Sequence, residues 1–153
     1  MYRALLHLGF AIEVGILAAV FAFAIWKGGR PERIGAALNL GAGILATALY
    51  YLLSIAAQPV ALLAVDAALA AGFLFLALRY ASLWLGAALL LQAVQFSLHA
   101  YYLVVNAHHD WNYMVINNLD TTGINVCIVA GTILAWRRQA IAKLPPAADA
   151  RPV

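Results

Sequence analysis

Apolar residues occur along this chain in five long runs, and charged residues are concentrated in the short segments between the runs. A helix needs about 20 apolar residues to cross a hydrocarbon core about 30 Å thick, so each run is long enough to span a bilayer. Helices are predicted because an open strand would leave backbone N–H and C=O groups without partners in lipid. The five predicted helices are Ala4–Trp26, Ile34–Ala56, Val60–Leu78, Ser82–Val105 and Tyr113–Trp136.

The breaks between the runs carry proline or charge. Pro31 follows a charged turn near the start of the second helix, and Pro59 separates the second helix from the third. We therefore expect residues 1–142 to form a single helical bundle. Residues 143–153 are rich in proline and alanine, which predicts a disordered tail.

The composition agrees with an all-α integral membrane bundle. Hydrophobic residues make up 66% of the chain and charged residues 10%, whereas soluble domains average about 45–50% and about 25%. A chain of 153 residues cannot bury that much apolar surface in its own core, so the lipid bilayer is its expected partner. The cations are spread between the runs, so no nucleic-acid partner is predicted. The single cysteine, Cys127, excludes a disulfide within one chain.

The nine Lys and Arg residues are divided very unequally between the two sides of a five-helix bundle. Arg3 alone lies on one side, and all the others lie on the opposite side. The positive-inside rule then predicts that the N-terminus lies outside and the C-terminus lies in the cytoplasm. The four tryptophans are near the ends of the runs, which is typical of an aromatic belt at the membrane surface; they are Trp26, Trp84, Trp111 and Trp136.

Three ionisable residues fall at one depth in the predicted bundle. Asp66, His99 and Asp120 each lie about 9–10 Å from the outer end of their helices, at 1.5 Å per residue. A pocket that they share would face outward and could bind a cation or relay protons. Two carboxylates and an imidazole also suit zinc or another divalent metal, so we consider the three residues as metal ligands.

The same residues have a structural interpretation, in which polar side chains hold the helices together. His99 would pair with Asp66 or Asp120, and amides would bond between helices, each bond contributing about 0.6–2 kcal/mol. In a third interpretation the polar faces of the fifth helix contact another protein. The further polar residues predicted between helices are Glu13, Asn39, Gln92, Gln95, Asn118 and Asn125.

Cofactor and catalytic motifs add little to this picture. His108 and His109 are adjacent in an outer loop, where solvated side chains explain them better than metal ligation does. A b-type haem is disfavoured because its two candidate axial ligands, His7 and His99, lie at different depths. The sequence has no phosphate-binding glycine loop and no nucleophile elbow, so no enzyme activity is predicted.

Scattered positions resemble those of small uncharacterised polytopic membrane proteins of proteobacteria. The resemblance rests on the segment Trp26-Lys27-Gly28-Gly29-Arg30-Pro31-Glu32-Arg33 and on a sparse later pattern of Asp66, Leu76-Ala77-Leu78-Arg79, Trp84, Gln92 and His99. It implies a multi-pass protein of the bacterial inner membrane, and it implies no activity, cofactor or partner.

Two functions are compatible with these observations. One is an accessory or interaction subunit, working as a homo-oligomer or within a larger membrane complex; its small size and the missing catalytic motifs favour it. The other is a small transporter or sensor with an outward-facing cation or proton site at Asp66, His99 and Asp120.

Overall fold

The computed structural model describes residues 2–106 and 110–143, with side chains from Ala11 onward. This part of the chain is all-helical, as predicted. Four of the helices, α2 to α5, are long and apolar enough to cross a membrane, which is the character of a multi-pass membrane protein. The helices are α1 (Tyr2–Lys27), α2 (Arg30–Leu52), α3 (Gln58–Tyr80), α4 (Leu83–Val105) and α5 (Trp111–Ala142).

The five helices form a closed ring. Each packs against the next, α1 and α5 complete the ring, and α2 also contacts α5 across it. Short connections make consecutive helices antiparallel, whereas α1 and α5 run parallel: Glu13 and Thr121 line one cavity, and the Lys27 ammonium lies 4.6 Å from the Trp136 ring further along both helices. We call one end of the ring the basic end, where Lys27, Arg30 and Arg79 lie, and the opposite end the His99 end.

The outer surface of the bundle is strongly apolar. Leu83 is 95% exposed and Leu78 79% exposed, and exposed aliphatic and aromatic side chains occur on every helix. In water such a surface would be a site of association or aggregation. In lipid the exposure of this surface carries no such penalty, which agrees with the four helices that are long enough to span a bilayer.

The basic end is tightly packed around Trp84, which is only 7% exposed. Its indole N–H donates to Glu32 Oε1 at 3.1 Å. A Cβ added at Gly131 would lie 2.6 Å from the indole Cδ1, and one at Gly35 would lie 2.9 Å from Cη2. The prediction that Trp84 belongs to an aromatic belt is therefore wrong, because small residues on α2 and α5 admit the ring into the core. Trp26 and Trp111 are exposed.

The second helix begins four residues before its predicted start, at Arg30, and the ends of the second and fifth helices also differ from the prediction by four residues or more. The second helix ends at Leu52 rather than Ala56, because the side-chain amide of Gln58 donates to the carbonyls of Tyr50 and Leu53 at 2.8 and 3.2 Å. Bonds of this kind satisfy the carbonyls that a helix leaves free at its C-terminus.

The fifth helix continues past Trp136 to Ala142 and is about 48 Å long at 1.5 Å per residue. Arginine at positions 137 and 138 is a good helix former, so the end of the apolar run does not end the helix. Of the predicted tail, residues 144–153 lie outside the described part of the chain.

Candidate functional site

Asp66 on α3 and His99 on α4 are in direct contact. The imidazole Nδ1 faces the carboxylate Oδ2, and the two side chains are 10% and 12% exposed. The two residues lie near one level because α3 and α4 are antiparallel neighbours joined by a two-residue turn. The sequence predicted that His99 would pair with Asp66 or with Asp120, and the structure contains the first of these pairs.

Asp120 does not join this pair. It is 5% exposed, and its Oδ2 accepts no hydrogen bond from the described part of the chain. The residue of α5 that approaches His99 is Asn117, whose Oδ1 lies 3.2 Å from the imidazole Nε2.

The described residues contain no group of three or more His, Cys, Asp or Glu side chains placed to hold a metal ion. The three predicted ligands therefore do not converge, because α5 directs Asn117 rather than Asp120 toward the pair.

Two glutamines of α4 extend the polar cluster. Gln92 is fully buried, and its amide N–H lies 3.3 Å from Asp66 Oδ1. Gln95 donates to Asn117 Oδ1 at 3.3 Å. These residues share a helix face with His99 at spacings of three and four. The carbonyl Oε1 of Gln92 is buried without a partner in the described part of the chain, so the cluster keeps one unused acceptor.

A second amide contact ties α2 to α5, where Asn39 donates to Asn125 at 3.0 Å. Four of the six residues predicted between helices therefore do bond there: Asn39, Gln92, Gln95 and Asn125. Asn118 instead lies exposed on the outer face of α5. Glu13 lines an interior cavity and is also exposed in a groove between α1 and α5.

A cavity of about 180 Å³ lies beside the Asp66–His99 pair. A smaller one of about 90 Å³ continues toward Asn39 and Gln92, and the two share Glu13, Asp66 and Gln95. Both have room for water, which needs only about 30 Å³ per molecule and two or more polar partners. All five helices contribute to the larger cavity, whose polar lining includes Glu13, Thr47, Tyr50, Asp66, Gln95, His99, Tyr113, Asn117 and Thr121.

The hydrogen-bond pattern defines where protons lie. With the amides oriented so that Asn117 Oδ1 accepts from Gln95, this carbonyl oxygen has no proton to give, and a hydrogen bond between it and His99 requires a hydrogen on Nε2. The Nδ1 nitrogen faces Asp66, and one further proton must lie between them, on the imidazole or on the carboxyl group. This orientation of the two amides matches the proton-loaded pair.

Losing that proton would reverse the pattern. The remaining imidazole hydrogen is best placed on Nδ1, facing the Asp66 carboxylate, which leaves a bare Nε2 facing Asn117 Oδ1. Two acceptors would then oppose each other until the Asn117 amide turned over. Gln95 would have to turn as well, because it donates to the same oxygen. The protonation of one pair is thus coupled to the orientation of two amides on α4 and α5.

Asn117 and Tyr113 were missed by sequence reasoning. The Tyr113 ring stacks on the His99 imidazole with centroids 5.5 Å apart. A signal for both was present, since Tyr113, Asn117 and Thr121 recur every four residues and therefore share one face of a helix. Of the other histidines, His108 and His109 lie outside the described residues, and the side chain of His7 is likewise outside them.

The resemblance to proteobacterial membrane proteins stays a prediction. No protein-family model, curated protein or solved structure matches the chain.

Proposed function

We propose that this is a small multi-pass membrane protein that binds and releases a proton at the Asp66–His99 pair, as a proton-coupled transporter or a sensor. The observation that carries the proposal is that Asn117 Oδ1 faces nitrogens of both Gln95 and His99. This arrangement matches a His99 side chain that shares a further proton with Asp66, and the pair lies beside an interior cavity. Ionisable residues inside membrane bundles are costly, and they commonly mark ion or proton paths.

The proposal includes a topology. All five helices span the bacterial inner membrane, with the N-terminus outside and the basic end in the cytoplasm. The concentration of Lys and Arg at one end supports it through the positive-inside rule. The His99 end then faces outward, so the proton exchanges with the outer solution rather than with the cytoplasm.

The pair connects protonation to helix packing. Asp66, His99 and Asn117 belong to three successive helices. Losing the proton changes the Asp66–His99 contact between α3 and α4, and turning the two amides changes the bonds between α4 and α5. A switch needs a local charge change and an element with two arrangements. The pair supplies the first and the Gln95–Asn117 amides supply the second.

The proposal is tested by ¹⁵N NMR of protein labelled at histidine, asparagine and glutamine in lipid nanodiscs. We expect the His99 Nε2 signal to change from protonated to unprotonated when the solution around the nanodiscs is made more alkaline. The side-chain amides of Gln95 and Asn117 should change at the same pH. Replacement of His99 by glutamine assigns its signals among the four histidines.

Two neighbouring asparagines provide a matched control. Asn117→Leu removes the acceptor that faces His99, and Asn118→Leu removes an exposed amide one residue away. We expect only Asn117→Leu to abolish the coupled change at Gln95. A His99 signal that is constant over the whole pH range would contradict the proposal and leave the pair as a bond that only holds helices together.

An accessory subunit is the second candidate, and outward-facing glycines favour it. A Cβ added at Gly15 or Gly41 would meet no atom within 4 Å, and both glycines are exposed. Small residues at the surface of membrane helices allow another helix to approach closely. Native mass spectrometry from the original membranes tests this function: a homo-oligomer or larger complex would support it, and a monomer with no captured partner would count against it.

A further inference from the structure

A groove of about 560 Å³ separates α1 from α5 on the outer surface of the bundle. Its lining changes character along its length. The part nearer the His99 end is lined by Ile12, Glu13, Asn118, Thr121 and Thr122, and the part nearer the basic end by Ile16, Asn125, Val126 and Val129. The Oδ1 of Asn125 already accepts from Asn39 inside the bundle. The groove is therefore more polar at one end than at the other, and its volume lies in the range of small-molecule sites, about 300–1,000 Å³.

Glu13 places an acidic group between the interior cavity and an outer surface of exposed aliphatic side chains. The residue is exposed, and its neighbours Ile12 and Ile16 are exposed aliphatic side chains. An uncompensated charge at membrane depth is strongly disfavoured. No cation of the described side chains pairs with Glu13, and the next one along α1, Lys27, is about 21 Å away at 1.5 Å per residue and lies over the Trp26 ring.

The charge and shape of the groove define what would complement it. A protonated amine would neutralise Glu13 and donate to the side-chain oxygens of Asn118 and Thr122, as an ammonium group has three donors and no acceptor. A hydrocarbon chain attached to that amine would lie along Val126 and Val129 and remain in contact with lipid. An anionic or purely apolar molecule would leave the carboxylate without a partner.

We propose that the α1–α5 groove binds a single-chain amphiphile with a protonated amine head group, which enters sideways from the bilayer. The ammonium lies at Glu13 and the alkyl chain lies toward Val129. This site is distinct from the Asp66–His99 pair and does not depend on proton release there. Glu13 and Thr121 line both the groove and the interior cavity, so the bound head group is next to that cavity.

The experiment uses the full chain in nanodiscs of zwitterionic lipid and a dodecylamine probe with a photoreactive diazirine on its alkyl chain. We expect covalent labelling of peptides from α1 and α5, with dodecylamine competing at least about tenfold better than dodecanol, since a hydrogen bond to a charged group is worth that much. Glu13→Gln should remove the preference for the amine and leave competition by the alcohol unchanged.

Two tryptophan substitutions at exposed valines distinguish the groove from the general surface. Val126→Trp fills the groove, whereas Val94→Trp adds the same bulk to the exposed face of α4. We expect the first to abolish labelling and the second to leave it unchanged. Equal competition by amine and alcohol, or labelling that survives Val126→Trp, would overturn the proposal. So would an Ile16→Cys variant that forms a disulfide between two copies in the membrane, because a second chain would then occupy the groove.

Discussion

The two ends of the bundle bury carboxylates in different ways. At the basic end both oxygens of Glu32 are satisfied: Oε1 by the indole of Trp84 and Oε2 by the backbone N–H of Gly29 at 3.0 Å. At the His99 end Asp120 Oδ2 and Gln92 Oε1 are buried without partners in the described part of the chain, and at the basic end the same is true of the Ser82 hydroxyl oxygen. Buried polar groups are nearly always hydrogen-bonded, so the exceptions call for a reason.

Buried polar groups therefore have different surroundings at the two ends of the bundle. The Glu32–Trp84 contact lies in close packing with glycines on both sides, where nothing further can enter. The Asp66–His99 pair lies beside cavities that have room for water. The basic end therefore holds its buried carboxylate in close packing, and the His99 end keeps its carboxylates beside space that a ligand, water or a proton path could use.

The largest expected effect comes from breaking the basic end. Trp84→Ala should lower the free energy of unfolding by about 3–5 kcal/mol, because it empties the space of a large buried ring and leaves Glu32 without its donor. Trp84→Phe keeps most of the volume and loses only the hydrogen bond, so it should cost less. Thermal unfolding in detergent measures both, and an effect of Trp84→Ala below that of Asp66→Asn would reverse the comparison.

A methyl group added where α5 closely approaches Trp84 should have the next largest effect. In Gly131→Ala the new Cβ would lie 2.6 Å from the Trp84 ring, and overpacking of this kind costs about 1–3 kcal/mol. Gly86→Ala is the matched control, because a Cβ there meets nothing within 4 Å. In the same unfolding measurement the control should be as stable as the wild type or slightly more stable, since alanine has a higher helix propensity than glycine.

A substitution at the His99 end should reduce stability less, and function more, than the substitutions at the basic end. Asp66→Asn removes the carboxylate that faces His99 but keeps the shape of the side chain, and interhelical bonds in membranes are worth about 0.6 kcal/mol on average. We expect a small change in unfolding and a loss of the coupled change at the Gln95 and Asn117 amides in the NMR experiment, because no carboxylate is left to share the proton with His99. A destabilisation as large as that of Trp84→Ala would show that the pair is structural.

The sequence predicted the helices and the common level of Asp66 and His99 along the bundle, because run length and helical spacing are local properties. It could not predict how α5 is rotated about its axis. A Cβ at Gly123 would lie 2.8 Å from Leu91 Cδ1 on α4, and this packing, like that of Gly131 on Trp84, depends on residues far apart in the chain. That rotation decides that Asn117 rather than Asp120 faces His99.

The position of Trp84 was missed for the same reason. A tryptophan near the end of an apolar run is compatible both with a belt at the membrane surface and with a position in the core. Only the glycines on α2 and α5, together with Glu32, decide between the two.

The smallest expected effect concerns the connection between α4 and α5 at the His99 end. The Tyr102 hydroxyl donates to Asp110 Oδ1 at 2.6 Å, the backbone N–H of Tyr113 donates to the same oxygen at 2.8 Å, and these bonds hold the pKa of Asp110 below its usual value. A carboxylate whose pKa is lower in the folded state stabilises the fold above its unfolded pKa of about 3.9, and it loses that contribution as pH falls through the lower folded value.

Asp110→Asn retains a good N-cap residue and removes only the charge. The melting temperature of the variant should therefore lie slightly below that of the wild type at neutral pH, and the gap should close below about pH 4. The gap should be small because the carboxylate is exposed to solvent. A gap that widens on acidification would mean that the ionised carboxylate opposes folding here. The contribution of this carboxylate to the stability of the fold would then differ from that of Glu32 in sign as well as in size.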